Sequence, residues 1–190
     1  MQKCPWALQS PEEEHYHDYE WGVPVHDDDL LFEFLLLEGL QAGLSWRTVL
    51  NKREAYRQSL DGFDAEKIAR YDNKKLQALL NNPKLIRNRL KMQAIVQNAR
   101  AFLNIRQQFP SFNDYIWQFT DGQTLHNNWQ FQEQVPSRSI HSKQMSRALK
   151  KQGFKFVGPV ICYAFMQATG MVNDHLNSCF RYQLLVNNKT

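Results

Sequence analysis

The sequence predicts an all-α fold, and three stretches carry that prediction. Asp27, Asp28 and Asp29 stand ahead of the run Leu30–Leu37, which only Glu33 interrupts. Acids thus meet the positive end of a helix whose remaining turns are apolar enough to be buried on every side. Met92, Ile95, Val96, Ala99, Phe102 and Leu103 recur at three- and four-residue spacing, an amphipathic stripe with Lys91 and Arg100 off it. Val157, Val160, Ile161, Ala164, Phe165 and Ala168 repeat the stripe, with Pro159 just inside the start, where its missing N–H costs nothing, and Gly170 as the stop. No segment shows the period of two that marks a half-buried strand.

In chain order, the first of these helices is expected to end near Gly39. Further helices are expected over 45–60, 64–70, 73–81, 84–106, 111–119 and 142–152, while 121–140 is polar and irregular and reads as a surface connection. With no repeat or Gly/Ser linker, residues 1–190 form one domain, or two helical lobes around one pocket. The chain is 43% hydrophobic, 22% charged and 13% aromatic, which excludes intrinsic disorder. Its longest apolar run is far short of the roughly 20 residues that cross a bilayer, so no membrane partner is expected. The N-terminus lacks an apolar signal core, which makes a cytoplasmic location the expectation.

Charge divides the chain. Residues 1–72 carry 15 acids against 7 Lys/Arg, whereas 73–190 carry 16 bases against 4 acids. No acid occurs from Asn73 to Asn113 or from Gln134 to Asn173, the pattern expected of a face turned to a polyanion. Within the second window, Lys150-Lys-Gln-Gly-Phe-Lys-Phe-Val-Gly-Pro159 joins two helices through a tight turn. The unpaired N–H groups opening the second helix at Gly158, flanked by Lys150, Lys151 and Lys155, would form a backbone phosphate clamp.

Three cysteines, Cys4, Cys162 and Cys179, make no disulfide framework. His175 and Cys179 stand four apart and would face one way on a helix or turn; Cys4 and either His15 or His17 supply candidates for two further ligands. A Cys2His2 set would be a closed structural zinc site tying the two chain ends together, with no position for a catalytic water. Glu38 closes the apolar helix ahead of Gly39-Leu-Gln-Ala-Gly43-Leu-Ser-Trp46, and a carboxylate there is either at a solvated helix end or at a site. Tyr16, Trp21 and Trp6 are aromatic candidates for the same pocket, and Ser45 would cap the following helix.

Over nearly its whole length the chain resembles the bacterial 3-methyladenine DNA glycosylase I family. The matching segments are Lys3–Trp6, Tyr16–Pro24, Leu37–Trp46 and Gly153–His175. The resemblance implies a helix-hairpin-helix DNA glycosylase fold and hydrolysis of the N-glycosidic bond of 3-methyladenine in alkylated DNA; with no motif placing a Lys nucleophile, a monofunctional enzyme is expected, acting as a monomer on double-stranded DNA. It implies zinc on Cys4, His17, His175 and Cys179, choosing His17 over His15. It places Glu38 at the base-recognition and catalytic position, Tyr16 and Trp46 as aromatic walls with Trp6 nearby, and Gly43 and Leu44 in the loop that enters the duplex. The wider superfamily has an Asp where this chain has Asn173, so the usual water-activating carboxylate is absent. Two rival classes stand beside this reading. One is a non-catalytic zinc-containing DNA-binding module; the other, a zinc hydrolase or deaminase, lacks its His-x-Glu/Pro-Cys-x-x-Cys and His-Glu-x-x-His signatures here.

Overall fold

The computed structural model describes residues 1–187, and eleven α-helices among them carry the architecture. They are α1 (Pro11–Tyr19), α2 (Asp28–Gln41), α3 (Trp46–Leu50), α4 (Arg53–Ser59), α5 (Ala65–Ala69), α6 (Asn73–Asn81), α7 (Arg89–Gln108), α8 (Phe112–Trp117), α9 (Ile140–Lys151), α10 (Pro159–Ala168) and α11 (Phe180–Asn187). No helix among the described residues is long and apolar enough to cross a membrane.

Helix α2 is the axle. Asp27 caps it, its side chain accepting from Leu30 N at 2.8 Å, and every residue from Leu31 to Leu40 is buried. It packs on α10, α3, α7 and α8, so an apolar residue at any angle around it finds a partner. The helix runs past Gly39 to Gln41. Gly39 is a packing contact rather than a stop: a Cβ there would lie 3.4 Å from Phe156 Cβ in the α9–α10 turn. Gly170, by contrast, does end its segment. A Cβ on it would stand 2.4 Å from the backbone of Val23 and Pro24, so this crossing admits only glycine.

The expected helix over 45–60 is two, α3 and α4, broken at 51–52. Two helices escaped the sequence reading. Ahead of α1, Ser10 accepts from Glu13 N at 3.2 Å, with Pro11 and three glutamates in the first turn, a complete start signal. Helix α11 has no comparable signal in its sequence. The segment 121–140 is docked rather than loose: β1 (Leu125–His126) pairs in parallel with β2 (Val172–Asn173), a two-residue ladder too short for any periodicity to reveal. That pairing brings Trp129 and Gln132 toward the chain's interior side, where the functional groups collect.

Candidate functional site

Helices α1, α2 and α3 converge on a cavity of about 200 Å³ whose walls include Trp6, Tyr16, Trp21, Glu38 and Trp46. Tyr16 lies 5.2 Å from Trp46, centroid to centroid, and Trp6 lies 5.0 Å from Trp21 in an edge-on pair. Glu38 is 3% exposed and makes no hydrogen bond; its Oε2 is buried without a partner. Burial pushes its carboxyl up to about 8, so the side chain keeps its proton at neutral pH. The Tyr16 hydroxyl and Trp46 Nε1 are likewise buried and unpartnered. Burial first, and the nearby Glu38 second, hold Tyr16 well above the ordinary phenol range. Three orphaned polar atoms around one aromatic hollow would each cost about 1–3 kcal/mol unless something else binds them.

Sequence reasoning missed Gln41, Gln132, Ala164 and Gln167, which complete the wall. Gln41 is one turn beyond Glu38 and Gln167 one turn beyond Ala164, so the first and last lay on faces already marked by their neighbours. Gln132 carried no signal, because it comes from the irregular segment. A larger hollow, about 630 Å³ beside α1 and α4, is walled by charges that satisfy one another: Arg53 bridges Glu20 at 2.5 Å and Glu33 at 2.7 Å.

Asn173 is buried and accepts from His175 N at 3.3 Å. The next residue, Asp174, accepts four hydrogen bonds, from Asn127, Trp129 Nε1, Tyr163 OH and Gln167 Nε2, at 2.6–2.8 Å. With its lone pairs taken and 2% exposure, this carboxylate anchors the Gln132 segment and Gln167 and has no room for a water to activate.

Behind Trp6 and Trp21 the chain ends meet. Ligand atoms of Cys4, His17, His175 and Cys179, all buried, lie within 4.8 Å of one another. His15 is exposed and apart from them. His17 Nδ1 is 2.8 Å from Asp18 Oδ1 and His175 Nε2 is 3.0 Å from the Trp21 carbonyl. Both partners only accept, so the protons sit on the outer nitrogens and two lone pairs, His17 Nε2 and His175 Nδ1, face each other at 3.2 Å, with the Cys4 N–H donating to His17 Nε2 from 3.5 Å. The neighbouring Cys4 thiol holds Cys179 below its ordinary value, and Cys179 together with burial holds Cys4 above its own. Two facing imidazole lone pairs and two cysteine sulfurs in a dry pocket are a donor set that fits a cation at their centre, so this group could bind a metal ion.

The turn 152–158 between α9 and α10 is held by α7. Asn98 accepts from Lys155 N at 2.8 Å and donates to its carbonyl at 3.1 Å, while Gln97 donates to Gly153 O at 2.9 Å. The side chains of Lys151 and Lys155 are exposed, and Gly158 starts α10 without a side-chain cap. Leu44 stands 41% exposed at the tip of the 42–45 loop beside Gly43, next to the cavity.

Residues 6–182 match the family model described as methyladenine glycosylase. The DNA-3-methyladenine glycosylase 1 of Escherichia coli strain K12 is 46% identical over 182 residues, covering 96% of this chain and 97% of its own. A crystal structure of 3-methyladenine DNA glycosylase I superposes with a TM-score of 0.92 at 49% identity, covering 94% of this chain and 98% of that one. Another 3-methyladenine DNA glycosylase I, in complex with 3-methyladenine, superposes at 0.91 with 34% identity over 94% and 96% of the two chains. By a match that runs from Trp6 to Tyr182 and takes in the walls of the cavity, this chain belongs to the methyladenine glycosylase family.

Proposed function

We propose that this protein is a DNA-repair glycosylase that hydrolyses the N-glycosidic bond of 3-methyladenine in alkylated double-stranded DNA. The observation that carries the reading is the set of three buried, unpartnered polar atoms on Glu38, Tyr16 and Trp46 around an aromatic cavity of about 200 Å³, below the range of about 300–1,000 Å³ for drug-sized pockets and suited to one base. A base inside a duplex cannot reach such a cavity, so the nucleotide must be extruded into it.

Adenine methylated at N3 within DNA is a cation, and its glycosidic bond is already weak. The aromatic faces attract that cation by about 0.5–2 kcal/mol each when desolvated, a gain that neutral adenine lacks. Glu38 adds the second discriminating term. Its carboxyl is neutral in the empty cavity and would lose its proton against the cationic ring, whose exocyclic amine supplies hydrogen bonds to the carboxylate. As the C1′–N9 bond breaks, its electron pair stays on the base, neutral 3-methyladenine leaves, and water adds to the sugar cation and gives a proton to solvent. Glu38 thus serves recognition first and the charge developing on the sugar second. No lysine lines the cavity among the described residues, which supports a monofunctional enzyme that leaves an abasic site. Action as a monomer in the cytoplasm belongs to the same reading.

The same reading assigns one structural zinc to Cys4, His17, His175 and Cys179. Zn–N of 2.0–2.1 Å and Zn–S near 2.3 Å at tetrahedral angles require about 3.3 Å between nitrogens and about 3.6 Å between nitrogen and sulfur. The cluster has 3.2 Å for the former and 3.4, 3.7 and 3.8 Å for three of the latter. Four protein ligands leave no water position, so the ion would supply structure and no reaction step.

Incubation with methylated duplex DNA tests the function directly: release of 3-methyladenine is expected, and tight duplex binding without release would make the protein a binding module instead. The α9–α10 turn is read as a helix-hairpin-helix phosphate clamp. Lys155→Ala should weaken duplex binding about equally across sequences and reduce the slope of log K against log salt by about 1, with Lys151 as the neighbouring contact. An unchanged slope would move the DNA face to the exposed Arg87 and Arg89.

A further inference from the structure

Lys91 lies in the first turn of α7, where a lone lysine would ordinarily turn its ammonium to solvent. Instead it is 5% exposed, and its Nζ donates to the carbonyls of Leu40 and Ala42, each at 2.7 Å. None of the ion pairs among the described residues includes it. Leu40 is in the last turn of α2 and Ala42 is its C-cap. The ammonium therefore supplies donors to carbonyls that the helix end leaves bare, at the negative end of the helix dipole. Burial pulls it down from the usual lysine value, so its retention there has a cost that a solvent-facing position would not carry.

The loop beyond that helix end has little else to hold it. Ala42 N bonds Gly39 O at 3.4 Å, Leu44 N bonds Gln41 O at 2.6 Å, and Thr48 N bonds Ser45 O at 3.1 Å, all within the same stretch of chain. Gly43 has φ +78° and open space around it. Among the described residues, Lys91 makes the one hydrogen bond joining 42–45 to an element other than the flanking helices α2 and α3. The same helix, two turns later, grips the α9–α10 turn through Asn98. A single rigid rod thus fixes the loop tip and the phosphate-facing turn relative to each other.

We propose that Lys91 is a positioning residue that sets Gly43 and Leu44 at the depth from which Leu44 enters the base stack. The proposal rests on the reading above, in which the nucleotide is extruded into the cavity, and takes Leu44, 41% exposed at the loop tip, as the side chain that fills the space it leaves. Lys91 does not line the cavity, so its effect should be confined to DNA and leave the base alone.

The test is a double-mutant cycle. Lys91→Met and Leu44→Ala should each lower release of 3-methyladenine from methylated duplex DNA by about tenfold or more, as misplacement of a positioning element does. If Lys91 acts through Leu44, the double variant should fall no more than about twofold below the weaker single one. Free 3-methyladenine should bind Lys91→Met with affinity within about twofold of wild type. Losses that multiply in the double variant, or free-base binding that falls together with duplex excision, would overturn the proposal. Should Lys91→Met not fold, Lys91→Gln keeps two N–H donors on a shorter stem, and the same cycle with Leu44→Ala decides. Wild-type protein that neither binds the free base nor releases it from DNA would overturn the reading of the cavity, and this role for Lys91 with it.

Discussion

Glu38→Gln is expected to lose 3-methyladenine excision and free-base affinity by tenfold or more while becoming more heat-stable than wild type above neutral pH. The first effect follows from replacing a group that can become a carboxylate against the cationic ring by an amide that cannot; one charge-assisted hydrogen bond of about 1.5–3 kcal/mol is at stake. The second comes from the same burial. In the folded chain Glu38 holds its proton up to about 8, whereas an unburied glutamate loses it near 4.5. A pKa raised by folding favours the folded state fully below about 4.5, and that advantage is lost as pH rises to about 8. Gln has no proton to lose. The gap in Tm between the variant and wild type should therefore open between pH 5 and pH 8 and level off above that. Its upper bound is about 5 kcal/mol, which for a chain of this size is roughly 10–20 °C. Melting curves at pH 5, 7 and 9 check the sign: a gap independent of pH would mean that Glu38 is already ionised in the empty cavity.

Much of this arrangement is legible in the sequence, for physical reasons that differ from part to part. The apolar run of α2 and the stripes of α7 and α10 announce themselves because packing on several sides demands many apolar residues at helical spacing. Lys91 misleads, because a lone basic side chain is ordinarily solvated, and only the tertiary approach of the α2 terminus gives its ammonium partners inside. Gly39 misleads in the same way, its missing Cβ serving Phe156 across the core rather than a local turn. For Glu38, periodicity alone left a solvated helix end as an alternative. The structure removes it by burying the carboxyl with no partner. Gln132 was invisible, since its place at the cavity depends on Trp129 and Asn127 docking on Asp174, a contact between segments 47 positions apart at most.

Removing the metal, or the ligand set that would hold it, is expected to lower Tm by roughly 10 °C or more, on the scale of about 2–4 °C per kcal/mol for a chain of this size. Cys4 and Cys179 come from opposite ends of the chain, so one ion would close a loop of nearly its full length, and closing long loops constrains the unfolded state most. Without the ion, two lone pairs 3.2 Å apart are left facing one another beside two buried sulfurs, a repulsion that folding would have to overcome. The damage should also reach the base cavity. His175 Nε2 holds the Trp21 carbonyl at 3.0 Å, Trp6 stands edge-on to His17 at 5.4 Å, and both tryptophans pack against the apolar cluster of Cys4, Leu176 and Cys179. Cys179→Ala should therefore melt early, carry less than about a tenth of an equivalent of zinc, and bind free 3-methyladenine more weakly even well below its melting temperature. Asp18→Asn, which weakens the acceptor behind His17 without touching a ligand atom, should show the same two effects in smaller measure. Freshly purified wild-type protein with no metal and an unchanged Tm after chelation would show that the cluster is held by its own hydrogen bonds, and the coupling of Trp6 and Trp21 to it would then be packing alone.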